Sequence, residues 1–105
     1  MFVATPTDMN VTRPRDAQFV CVATGQPRPT IFWTRDGERL GDDSTHIVVQ
    51  QSTSPEDMTT LNSMLTITAT TYTDAGSYAC VAVNADGNNT AVTSLYVQGI
   101  SILHL

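Results

Sequence analysis

The chain has 105 residues, with ten acidic side chains against five arginines, no lysine and a formal net charge of −5. One domain fits this length, burying on the order of 65% of the surface its unfolded form exposes, so a cross-link between the two cysteines would matter to its stability. The acidic balance offers no basic patch on which a nucleic acid could sit, and nucleic acid is excluded as a partner.

Apolar stretches run for only a few residues, far short of the roughly 20 that span a bilayer. Met1 opens no charged-then-apolar leader, so this segment is expected to insert no part of itself into a membrane. Seventeen threonines and ten valines are β-branched residues that suit pleated surfaces, and an all-β domain follows. Every basic side chain lies between Arg13 and Arg39, an asymmetry that describes the surface more than it points to a partner.

Turn clusters punctuate the sequence at roughly 8–15-residue spacing, the rhythm of a sandwich or barrel. Among them are Arg13-Pro14-Arg15-Asp16, Gly25-Gln26-Pro27-Arg28-Pro29, Asp36-Gly37, Asp74-Ala75-Gly76 and Asn84-Ala85-Asp86-Gly87. A first edge strand carries Asn10. Between the turns, alternation with period two predicts a strand near 17–24 with Ala17, Phe19, Cys21 and Ala23 inward. The next strand points Ile31 and Trp33 inward.

Residues 46–51 read as a further strand, in which Ile47, Val48 and Val49 are consecutive and leave the facing open. An extended hairpin loop is expected over 52–59. Later strands are expected near 63–69 (Leu65, Ile67 inward), 76–83 (Tyr78, Cys80, Ala82) and 90–98 (Leu95, Val97). The single domain then covers 1–99, and the apolar residues 100–105 form a tail, a linker or a strand extension.

Cys21 and Cys80 fall on inward faces 59 positions apart, with Trp33 twelve residues after the first. Before the second stands Asp74-Ala75-Gly76-Ser77-Tyr78-Ala79-Cys80. This joint pattern resembles the immunoglobulin superfamily. Gly25-Gln26-Pro27-Arg28-Pro29, Arg35-Asp36-Gly37 and the run from Cys80 to Gly87 look like its intermediate (I-set) type, as found in cell-adhesion molecules and receptor ectodomains.

The resemblance implies a Greek-key β-sandwich of two antiparallel sheets, a Cys21–Cys80 disulfide against Trp33, and a core signature of Trp33, Leu65, Asp74, Gly76 and Tyr78. Tyr78 stands where a tyrosine corner returns its hydroxyl to upstream backbone. Reduced, buried thiols are the alternative, as in intracellular immunoglobulin domains of muscle. Thr70 stands where relatives usually place an aliphatic residue, which implies a weaker core edge.

No enzyme chemistry finds a foothold. His46 and His104 lie far apart, with no nucleophile elbow and no glycine-rich phosphate loop, and no cofactor is expected. Asp42-Asp43-Ser44-Thr45-His46 is an incomplete ligand set with the wrong spacing for zinc, and reads as a solvated turn entering a strand.

Binding is legible in the outward positions. With the inward sets as above, Phe32, Val81, Val83, Val92 and Tyr96 point out from strands that neighbour one another in this fold. Such a patch is a candidate protein contact face. Asn10-Val11-Thr12 and Asn88-Asn89-Thr90 are glycosylation sequons, placing candidate glycans on Asn10 and Asn88. The expected function is non-catalytic recognition of other proteins, homophilic or heterophilic, or spacing within a longer cell-surface or secreted chain. A sarcomeric-type intracellular domain is the alternative.

Overall fold

The computed structural model describes residues 1–41, 46–53 and 58–99. The alternating inward sets become nine strands among these residues. They are β1 (Phe2–Ala4), β2 (Met9–Thr12), β3 (Ala17–Thr24), β4 (Thr30–Arg35), β5 (Glu38–Arg39), β6 (Ile47–Thr53), β7 (Thr60–Ile67), β8 (Gly76–Asn84) and β9 (Gly87–Gln98). Two sheets result, one of four strands in the order β1-β3-β7-β6 and one of five in the order β2-β9-β8-β4-β5.

The first strand of the chain is divided between the sheets. β1 pairs antiparallel with β3, whereas β2 runs parallel to β9. Buried Pro6 lies in the crossing segment, where a residue without an N–H costs the ladders nothing. Asp8 fastens the crossing: its Oδ1 accepts from the Ser94 backbone N–H at 2.9 Å and from the Thr93 hydroxyl at 3.2 Å.

The core lies between the sheets. β3 buries Ala17, Phe19, Cys21 and Ala23, and β7 buries Leu61, Ser63, Leu65 and Ile67. β8 supplies Tyr78, Cys80 and Ala82, and β4 supplies Ile31 and Trp33. Each large apolar side chain removed from water in this way contributes roughly 1.5–3 kcal/mol.

Asp36 and Gly37 turn β4 into β5 with φ of 50° and 88°. A two-residue hairpin turn of the type I′ class, whose twist matches that of the strands, takes positive φ at both centres, and Asp-Gly provides it.

Several strand boundaries and one core position differ from the sequence reading, and β9 begins at Gly87 rather than near 90 because its first residues pair with Asn84 and Val83 across the hairpin. β6 continues through Ser52 and Thr53, pairing them with Asn62 and Leu61, so the expected 52–59 loop is shorter. Its residues 54–57 lie outside the described set. β7 spans 60–67 rather than 63–69, because the backbone leaves extended geometry at Ala69, whose φ is 47°. The Ala69 N–H donates to Asp16 Oδ1 at 2.9 Å, which holds the turn. Thr70 is no weak edge: it is fully buried, and its hydroxyl donates to the Arg15 carbonyl at 2.6 Å. The Thr70 N–H donates to the same carbonyl at 3.3 Å, so the buried hydroxyl adds a second hydrogen bond there and is itself satisfied.

Candidate functional site: the pinned sandwich and its outward face

Cys21 on β3 and Cys80 on β8 are joined by a disulfide, so it ties one sheet to the other. Trp33 lies beside Cys80 in the β4–β8 register and is 1% exposed. Its indole N–H cannot be left unpaired in the core, and it donates to Ser63 Oγ at 2.9 Å. The Gln51 amide donates to the same oxygen at 3.2 Å and to the Ile31 carbonyl at 2.9 Å. Neither Ser63 nor Gln51 was singled out from the sequence. The signal was present in the alternation, since Ser63 stands two residues before inward Leu65.

The corner before β8 is built from Asp74, Gly76 and Tyr78. The Tyr78 hydroxyl donates to the Asp74 carbonyl at 2.6 Å, and its ring packs 5.6 Å from that of Phe19. Burial pushes the Tyr78 phenol up to about 12; nearby Arg35 opposes this, and Asp74 and Asp36 add to it.

The Asp74 carboxylate accepts from the Thr71 N–H at 2.8 Å and contacts His46 Nε2 at 2.9 and 3.0 Å. Burial raises its pKa, but the His46 hydrogen bond, the Thr71 N–H, the charge of His46 and the Thr71 hydroxyl together bring it below the ordinary 3.8. His46 is therefore tied to the corner rather than being part of a free solvated turn. Residues 42–45 of that stretch lie outside the described set.

Arg35 closes the corner, with Nη2 donating to the carbonyls of Thr73 and Ala75. Gly76 has φ of 156°, and a Cβ there would stand 3.2 Å from the Asp36 carboxylate oxygens. Leu65 is fully buried. Among the described residues no group of three or more His, Cys, Asp or Glu could hold a metal ion.

The outward positions lie together on the five-stranded sheet. Phe32 pairs with Val81, Val81 with Thr90, Ala79 with Val92 and Val83 with Asn88. Tyr96 lies beside Asn10 in the parallel β2–β9 pair. Val92 and Tyr96 are 66% and 54% exposed, and Phe32, Val81 and Val83 are half-buried. The Arg39 guanidinium lies over the Phe32 ring, 4.4 Å from its centroid, a cation–π contact that rims the patch with charge. Asn10 and Asn88 are exposed.

Two sheets, pinned by a disulfide against a buried tryptophan and closed by a tyrosine corner, define a β-sandwich domain of the immunoglobulin class. A sequence model described as "Immunoglobulin domain" matches residues 1–84, and the chain belongs to that family. The human peroxidasin homolog is 35% identical over 97 residues, covering 92% of this chain and 6% of its own length. Fruit-fly (Drosophila melanogaster) titin is 37% identical over 87 residues, covering 82% of this chain and a share of its own length that rounds to 0%. The chain thus spans only a small part of these relatives. The structure of a titin M10–obscurin-like 1 immunoglobulin complex superposes with a TM-score of 0.81 at 29% identity, covering 97% of this chain and 96% of the other.

Proposed function

We propose that this chain is a non-catalytic protein-recognition module of an extracellular or cell-surface protein, engaging its partner through the outward face of the five-stranded sheet. One observation carries the reading: the register gathers Phe32, Val81, Val83, Val92 and Tyr96 on one face whose other strand positions include Asn10, Thr34, Ser77, Thr90 and Ser94 and carry no acid, with Arg39 as a charge at the rim. A chain of net charge −5 avoids like-charge repulsion by meeting another protein through a face without acids.

The partner that fits is another module of the same sandwich class, presenting a similarly flat sheet face free of basic repulsion against Arg39. The titin M10–obscurin-like 1 complex, named for two proteins of which the second contributes an immunoglobulin domain, supports that kind of contact. The Cys21–Cys80 disulfide and the peroxidasin-type relative support an oxidising, extracellular setting. The second reading, an intracellular structural domain with reduced cysteines, is favoured by the similarity to titin.

Sedimentation velocity of the chain, together with surface plasmon resonance against an immobilised second copy, tests the face. Concentration-dependent association that is lost in Phe32→Asp and Val92→Asp variants of unchanged circular dichroism supports it. Absent association, or association equal in the folded variants, overturns it.

A further inference from the structure

The two sequons occupy the same sheet face as the candidate contact residues. Val11 is buried and Val97 packs against the core, and these two are partners in the parallel β2–β9 register. Their neighbours Asn10 and Tyr96, also register partners, therefore both point outward. On the other side Ala82 is buried opposite Asn89, so the adjacent pair Val83 and Asn88 points outward with Val81 and Phe32. The sequon hydroxyls follow the same parity: Thr12 and Thr90 are exposed, with Thr90 opposite Val81.

Along β9 the positions of Asn88 and Tyr96 are separated by eight strand residues, roughly 26 Å. Val92 is midway between them.

We propose that Asn10 and Asn88 are N-glycan acceptors that stand at the two ends of one face, the sugar on Asn10 covering Tyr96 and that on Asn88 covering Val83. Glycosylation then leaves the central strip of Phe32, Val81 and Val92 as the part of the face open to protein. In the transfer, the side-chain amide nitrogen forms a bond to the anomeric carbon of an oligosaccharide carried on a lipid pyrophosphate. The nitrogen loses a proton and the lipid pyrophosphate departs.

The inference rests on the extracellular reading above, but its test reads sugar and surface cover rather than binding, so either can fail without the other. The tyrosines make the readout internal. Tyr96 reports the Asn10 site, fully buried Tyr78 is the closed control, and Tyr96 in an Asn10→Gln variant is the open control.

The chain is secreted from animal cells behind a cleavable leader. Intact mass is measured before and after enzymatic removal of N-glycans, and tyrosine iodination is mapped on both forms of the same folded sample. Two glycans are expected, with one lost in each of Asn10→Gln and Asn88→Gln, and Tyr96 iodinates several-fold faster once the sugar is removed, whereas in Asn10→Gln it labels equally before and after that treatment. A glycan missing from either asparagine, or equal Tyr96 labelling in the two forms, overturns the proposal.

Discussion

The indole N–H of Trp33 and the hydroxyl oxygen of Ser63 meet at 2.9 Å across the interior of the sandwich, one on each sheet. The disulfide fixes the two sheets together, and this hydrogen bond fixes the orientation of the tryptophan packed between them. Ser63→Ala leaves the buried indole donor without its acceptor, which costs about 1–3 kcal/mol. Chemical denaturation is expected to show a lowered midpoint with an unchanged slope, since the exposed surface on unfolding is the same. A slope change would mean a wider rearrangement.

The alkaline limit belongs to Tyr78. Its phenol is raised from 10.0 to about 12 in the folded chain. A folded state that holds the proton more tightly is stabilised fully below the unfolded value and loses that stability as pH rises from about 10 through about 12. Absorbance titration is expected to show one tyrosine resisting ionisation to that range. Tyr78→Phe removes that late step and, by leaving the Asp74 carbonyl unpaired, costs about 1–2 kcal/mol.

At the acid end the sign is opposite. The Asp74 carboxyl lies below 3.8 in the folded chain, so its contribution is complete above the unfolded value and is lost as pH falls through the folded one. Stability measured by urea unfolding is expected to decline below about pH 4, and Asp74→Asn is expected to flatten that decline while lowering stability at neutral pH. An undiminished acid slope in Asp74→Asn would remove Asp74 as its source.

Gly76→Ala places a Cβ against the Asp36 carboxylate at a backbone angle that suits glycine. The substitution is expected to destabilise by more than about 1 kcal/mol. In a Gly76→Ala, Asp36→Ala double variant the cost should shrink, because the contact is gone and only the backbone term persists.

Most of the strands and the Cys21, Trp33, Tyr78 and Cys80 constellation could be read from alternation and spacing, because inward apolar positions recur with the pleat whatever the sheet order. The polar links could not. Ser63 and Gln51 meet Trp33 and the Ile31 carbonyl only because β6 and β7 bring them there, and His46 reaches Asp74 from 28 residues away. Pairings of that kind depend on register and on the sheet to which each strand belongs, and periodicity carries neither. The division of the first strand at Pro6 escaped for the same reason, since β1 and β2 differ in partner rather than in pattern. Thr70 misled because a buried hydroxyl is costly only when it lacks an acceptor, and Arg15 supplies one.

The disulfide decides between the extracellular and the intracellular reading. In the chain-entropy account, closing a loop of 59 residues contributes roughly 4 kcal/mol, a large share of the 5–15 kcal/mol typical of a domain. Thiol titration of denatured protein taken from its native source, with alkylation before any reductant is added, measures the bond directly. The account predicts no titratable thiol and a mass two hydrogens below that of the reduced chain. Two titratable thiols in that denatured, unreduced sample would contradict it and favour the intracellular reading.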